Sequence, residues 1–235
     1  MRVAACADLH ARVGDEARIR ALFQDVRDRA DALVIAGDLT DHGRPEEAEA
    51  LARALDGVGV PVMAVLGNHD HEAGVPDALL DMLASVGVHC LERGARAFGD
   101  VGVAGAKGFG GGFGARSVRS FGEAALKAFV AESHREAQAL RTQLDGLPPG
   151  RRLAVTHYAP VRETVEGEPA EIHVFLGSSR LTEAIDGGGA VAAVHGHAHH
   201  GSPEGRTPRG ARVLNVSLPV LRATGAKDAY VVLDL

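Results

Sequence analysis

The sequence is short of cysteine, of excess basic charge and of long apolar runs, and each shortage removes a class of function. Its two cysteines, Cys6 and Cys90, match neither a disulfide framework, which is built from several cysteines, nor a thiolate metal site, which needs cysteines paired at close spacing. A reducing compartment, the cytoplasm, is therefore expected. Lysine and arginine total 25 against 31 aspartate and glutamate, a net charge of −6 with histidine neutral. That leaves no basic field to attract nucleic acid or anionic membrane. Nowhere do apolar residues run uninterrupted for the roughly 18 positions that a bilayer span requires. Asp8 falls where an export signal would still be building its apolar segment, so no export is expected either.

Glycine and histidine, in contrast, are plentiful: 30 and 12 of 235 residues. The glycines imply many tight turns, and the histidines exceed what packing needs. Hydrophobic residues at 46% and charged residues at 24% are ordinary for a globular chain. Short apolar runs at 3–7, 32–36, 60–66, 88–91, 101–104 and 153–156 predict buried strands. Between them, helices are predicted over 15–30, where Ile19, Leu22, Phe23 and Val26 recur at helical spacing, over 46–55 behind Pro45, and over 123–144. The alternation is that of an α/β domain. The breaks at the glycine-rich stretch 108–114 and at Pro148-Pro149-Gly150 are not read as linkers, because polar clusters on both sides make sense only if they meet; one domain over 1–235 is expected.

Five apolar runs end abruptly in metal-capable side chains: Ala7-Asp8-Leu9-His10, Gly37-Asp38-Leu39-Thr40-Asp41, Gly67-Asn68-His69-Asp70, Thr156-His157 and Gly196-His197-Ala198-His199. In open α/β sheets the functional crevice lies beyond the carboxyl ends of the strands, so such residues converge although distant in sequence. Asp8, Asp38 and Asn68 recur at a spacing of 30 residues, which suits successive βαβ units of about 30 residues. Imidazole nitrogen with carboxylate and carboxamide oxygen, and no thiolate, suits manganese, iron or zinc better than calcium. The donors suffice for two ions. One carboxylate can bridge two metals about 3.5–4 Å apart, and a water shared between them becomes a hydroxide nucleophile near neutral pH.

In order, these clusters resemble the motifs D-x-H, G-D-x-x-D, G-N-H-D, a lone strand-end His and G-H-x-H of the calcineurin-like metallophosphoesterase superfamily. The resemblance runs from Asp8 to His199 with no ligand position substituted. It implies a four-layer αββα sandwich with two mixed β-sheets. It also implies one metal on Asp8, His10 and His199, a second on Asn68, His157 and His197, and Asp38 bridging them. His69 becomes the catalytic acid, with Asp70 orienting its ring. The activity it implies is hydrolysis of a small phosphoester by a metal-bridging hydroxide, with two divalent ions as cofactor, manganese first and iron or zinc behind. A phosphodiesterase for small or cyclic-nucleotide substrates is the expected form; a phosphomonoesterase, a nucleotide pyrophosphatase and a non-catalytic protein-binding scaffold are the alternatives. Oligomeric state stays open.

Other polar residues are read more plainly. His42, His200, Arg116 and Arg119 are candidate substrate contacts, and His71 and His195 flank motifs in a similar way. His89, His134 and His173 are expected to be solvated or locally hydrogen-bonded. For Asp41, a turn or helix-capping role stands beside one supporting the ligands. The segment 106–122 is not a Walker loop, because Ala106 and Gly108 flank Lys107 where glycine and a hydroxyl residue are required. A lid with Phe109 or Phe113 for stacking is expected there, with a flexible surface connection as the alternative.

Overall fold

Alternation along the strands distributes apolar side chains between the two faces of each sheet. The computed structural model describes residues 1–225 and 228–235, and the Arg116 side chain lies outside that description. In chain order its elements are β1 (Arg2–Cys6), α1 (Glu16–Leu22), α2 (Val26–Arg29), β2 (Ala32–Ala36), α3 (Pro45–Leu55), β3 (Val62–Val65), α4 (Pro76–Ser85), β4 (His89–Cys90), β5 (Arg96–Phe98) and β6 (Val101–Ala106). There follow α5 (Ala124–Gly146), β7 (Arg151–Thr156), α6 (His173–Leu176), α7 (Ser179–Gly187), β8 (Ala192–His195), β9 (Glu204–Arg206), β10 (Arg212–Asn215), α8 (Leu218–Ala223) and β11 (Val231–Asp234).

The strands form two sheets, ordered β11-β1-β2-β3-β4 and β5-β6-β7-β8-β10-β9. Both are mixed. β1 to β4 run parallel with β11 antiparallel at the edge, and β6, β7, β8 and β10 run parallel between antiparallel β5 and β9. Val3, Ala5, Val34, Met63 and Val65 face Val103, Leu153, Val155 and Val194 across the inter-sheet core. The opposite faces carry Ala4, Leu33, Ile35 and Ala64 against the helical residues Ile19, Leu51 and Leu83, and Ala104, Ala154 and Ala193 against Leu140, Leu144 and Leu181. Three cores separate four layers, the αββα order.

The register aligns the strand ends that carry the motifs. Cys6 pairs with Ile35 and Ala36 with Val65, while Ala106 pairs with Thr156 and Val155 with Val194. The inter-sheet core is built largely from alanine and valine, which keeps the sheets close. At Gly105 a Cβ would stand 2.7 Å from Val65 Cγ1 and 2.8 Å from Leu91 Cδ1, so glycine is needed for the approach.

The expected helix over 15–30 is two short helices. The backbone turns at Phe23, and Asp25 is held by the Tyr230 hydroxyl at 2.6 Å and by Arg29 at 3.3 Å, which ties the second segment to the C-terminal strand. The strand expected over 60–66 is shorter because Pro61 has no N–H to donate. Only His89–Cys90 of the run 88–91 pairs as strand, since Leu91 begins a 3₁₀ turn.

Gly105→Val is expected to destabilise the fold by about 1–3 kcal/mol, because it overpacks the space against Val65 and Leu91. A lower urea midpoint with an unaltered m-value checks this.

Candidate metal centre

Directly after the strands the backbone adopts an unusual conformation. Among the described residues, the non-glycine positions with positive φ are Asp8 (61°), His10 (43°), Asp38 (47°) and His197 (70°), and all four are expected ligands. Such backbone is strained by about 1–3 kcal/mol per residue and persists only where the surroundings over-determine it. Here Asp8 N donates to Gly37 O, His10 N to Asp38 O and Ala11 N to Leu39 O, each at 3.0 Å, stapling the first two motif loops together.

The motif glycines interlock the loops further. A Cβ on Gly37 would land on the His157 ring, one on Gly67 on the Asp38 carboxylate, and one on Gly196 on the Asp8 carboxylate. Each glycine thus vacates the seat of a donor from a different motif. Asp70, fully buried, binds two loops as well: its carboxylate accepts from Gly67 N at 2.7 Å, Leu39 N at 3.0 Å, Thr40 N at 2.8 Å and Thr40 Oγ1 at 2.6 Å. Burial pushes its pKa up to about 6 in spite of these donors.

The expected donors meet in two groups, Asp8 with His10 and His199, and Asp38 with His157 and His197, in each of which the donor atoms lie within 4.8 Å of one another. Asn68 joins the second, its Oδ1 3.1 Å from His157 Nε2. Asp38 stands between them: Oδ1 is 3.2 Å from His157 Nε2, and Oδ2 is 3.7 Å from His10 Nε2. His157 Nδ1 meets the Ala36 carbonyl at 2.9 Å, which requires the proton on that nitrogen in a neutral ring and turns the Nε2 lone pair towards Asp38 and Asn68. His199 Nε2 lies 2.9 Å from Asp8 Oδ1.

The donor set fits divalent cations on an independent count. Both ring nitrogens of His10 are buried with no hydrogen-bond partner, a cost of about 1–3 kcal/mol for each such polar group, and a bound cation would remove it at the nitrogen that carries the lone pair. Electrostatics agree. Burial lowers the pKa of His10, and burial together with His157 holds His197 down at about 3, so both stay neutral and able to donate a lone pair. His157 differs: burial opposes charge on it and on Asp38, yet their mutual attraction wins, keeping Asp38 well below the usual carboxylate range and lifting His157 to about 9, so a cation at His157 Nε2 would take the place of a proton.

His69 stands beside this centre, grouped with His10 and Asp38 within the same 4.8 Å limit. Its orientation corrects one expectation: Asp70 does not hold the ring. His69–His71 is a 3₁₀ turn, in which successive side chains diverge by about 120°, and Asp70 is spent on backbone donors. The Asp41 carbonyl holds the ring instead, 2.7 Å from Nδ1. The Asp41 carboxylate also stands 3.4 Å from His10 Nδ1 and 2.7 Å from Arg12 Nε. Entry to α3 is capped by Glu47, which accepts from His42 N and Arg44 N.

The candidate substrate contacts lie further out. Among the described residues no hydrogen bond or ion pair joins His42, His200 or Arg119 to a donor side chain; His42 is held by Asp41 and Glu47, and His200 by Glu168. The Arg116 side chain is outside the described residues. His195 is fully buried, its nitrogens meeting Thr164 Oγ1 and Gly196 O at 2.8 Å, so it supports a loop and touches no substrate. His89, His134 and His173 make local contacts with Gly94 O, Arg180 and Glu168 O. Within 106–122, residues 108–112 are largely buried and tied to 174–179 through Gly111 N–Val174 O and Gly112 N–Gly177 O, whereas Arg119 is exposed.

Two supports escaped the sequence reading. Asn215, at the end of β10, donates from Nδ2 to Ala198 O at 2.7 Å and accepts from Ser217 N, fixing the His197–His199 loop. Tyr158 packs against His197, ring centroids 4.4 Å apart and planes tilted by 42°. A polar residue ending the apolar run Val213-Leu214 is the signal that marks Asn215. Gly67→Ala is expected to displace Asp38 and weaken divalent-metal binding by about 10–100-fold, read by calorimetric titration with far-ultraviolet circular dichroism preserved.

A model of the calcineurin-like phosphoesterase family matches residues 1–201. The chain is 40% identical over 48 residues to a glycerophosphodiester phosphodiesterase of Enterobacter lignolyticus, covering 20% of this chain and 17% of that protein. It is 32% identical over 80 residues to a probable cyclic nucleotide phosphodiesterase of Synechococcus, covering 30% of this chain and 31% of that protein. The matched stretches therefore span less than a third of either curated relative. Among solved structures, the phosphopantetheinyl hydrolase of Mycobacterium tuberculosis is similar with a TM-score of 0.74 at 18% identity, covering 98% of this chain and 95% of that one, a likeness of fold. With the family model spanning every motif that meets at the strand ends, this chain belongs to the calcineurin-like phosphoesterase family.

Proposed function

We propose that the protein is a dinuclear metal-dependent phosphodiesterase of the cytoplasm, acting on a small, nucleotide-type phosphodiester, with manganese as the working ion and iron or zinc as the alternatives. The observation that carries the reading is the position of Asp38, which turns one carboxylate oxygen to each of two donor groups. When bound, two divalent cations supply positive charge against the phosphoryl oxygens and a water activated for attack on phosphorus.

The chain's own residues do the rest. Asp8, His10 and His199 would hold one cation and Asn68, His157 and His197 the other, with Asp38 available to both. His69 handles the proton. The Asp41 carbonyl can only accept, so His69 Nδ1 carries hydrogen, and Nε2 is left to face the reacting group. Protonated there, it donates to the oxygen of the departing alcohol. The local identity with two phosphodiesterases supports a diester over a monoester or pyrophosphate. Retention of every donor and of His69 supports catalysis over a scaffold role.

Bis(p-nitrophenyl) phosphate and p-nitrophenyl phosphate, each assayed with added manganese, test the reading: faster turnover of the diester is expected, and a preference for the monoester overturns it. A panel of cyclic nucleotides and a phosphopantetheinyl ester follows, the latter because of the full-length structural likeness. His69→Ala should lower kcat by about 10²–10⁴-fold, the range for a lost proton donor, with both ions still present by elemental analysis. Loss of metal in that variant would make His69 a ligand instead. Asp38→Asn is expected to deplete both sites.

A further inference from the structure

A pocket of about 340 Å³ opens beside Asp8 and His10. Its lining also carries Arg12, Arg18 and Arg222, with Asp15 as the one carboxylate besides Asp8, and the apolar Leu218 and Pro219. The arginines come from three segments: Arg12 from the turn after the first motif, Arg18 from α1 and Arg222 from the last turn of α8.

Folding uses only part of their hydrogen-bonding capacity. Arg12 is paired through Nε with Asp41, and no other Arg12 side-chain bond is formed among the described residues. Arg18 spends Nη2 on Leu9 O at 3.0 Å and Asp15 Oδ2 at 2.8 Å. Arg222 is exposed and forms no ion pair or side-chain hydrogen bond among the described residues. Asp15 and Asp41 are set against Arg18 and Arg12, and Asp8 belongs to the donor group, where a bound cation would take up its charge; Arg222 then has no carboxylate of its own, and arginines from three segments line one pocket. That is a geometry suited to phosphate. The other donor group is flanked differently: Tyr158 covers His197, and Phe109 packs on Tyr158.

We infer that the pocket is an anion subsite that binds a second phosphate of the substrate, one that is not cleaved. On the phosphodiesterase reading, the preferred substrate is then a nucleotide-type diester bearing an additional phosphate monoester, in preference to a singly charged one.

A matched pair of esters tests this on the metal-loaded protein: thymidine 5′-(p-nitrophenyl phosphate) and the same ester carrying a 3′-phosphate, with p-nitrophenolate release as the readout. The 3′-phosphorylated ester should have the higher kcat/KM, and Arg222→Ala should lower the ratio of the two kcat/KM values by about tenfold, the equivalent of one charge-assisted hydrogen bond. Arg18→Ala should act in the same direction, through KM and not kcat. Calorimetry gives a second readout without turnover: thymidine 3′,5′-bisphosphate should bind more tightly than thymidine 5′-monophosphate, and Arg222→Ala should remove the difference. Equal kcat/KM for the two esters, or a ratio that ignores Arg222, overturns the subsite. Hydrolysis of neither ester would overturn the phosphodiesterase reading alone, and the calorimetric comparison would still decide for or against the pocket.

Discussion

The centre depends on a steric exchange between loops. Gly37, Gly67 and Gly196 each leave empty the space that a donor from another motif fills: His157, Asp38 and Asp8. A strand end therefore supplies a ligand and also the room for someone else's, so no motif can form its local geometry without the others. This reciprocity links the two sheets, since Gly37 lies beyond β2 and His157 beyond β7. It also explains why the inter-sheet core is largely alanine and valine, with glycine at position 105 where a Cβ would meet Val65 and Leu91. Bulkier side chains there would part the strand ends and empty the seats.

Strain and burial are accepted at the same points. Four donors sit in left-handed backbone, and the buried Asp70 carboxylate joins the second and third motif loops through four hydrogen bonds although burial raises its pKa. Asp38 and His157 pair at 3.2 Å, so each offsets the other's burial in the absence of any cation. His10 makes no hydrogen bond to its neighbouring carboxylates, and a cation would satisfy the nitrogen that carries its lone pair.

Much of this was legible in the sequence because a strand end has few degrees of freedom. An apolar run followed by Asp-x-His or Gly-Asn-His-Asp states both where the chain leaves the sheet and which atoms it presents, and all seven expected donors meet. What was not legible depends on distant partners. The helix over 15–30 breaks where the Tyr230 hydroxyl, 205 positions away, takes hold of Asp25. Adjacency in sequence also misled: Asp70 follows His69, yet the tight turn sends the carboxylate inward and leaves the ring to the Asp41 carbonyl.

The same distinction separates chemistry from specificity. Groups that must hold position to fractions of an ångström come from strand termini, where the sheet register places them and interlocked glycines confine them. Groups that would choose the substrate come from elsewhere. Arg12, Arg18 and Arg222 lie on a turn and two short helices, at positions that no periodicity relates, and they meet because α1 and α8 pack on the same face of the first sheet, with Ile19 and Leu218 in one core. A common centre can thus be kept while the pocket beside it changes, since an exposed arginine on α8 bears on no seat in the interlock.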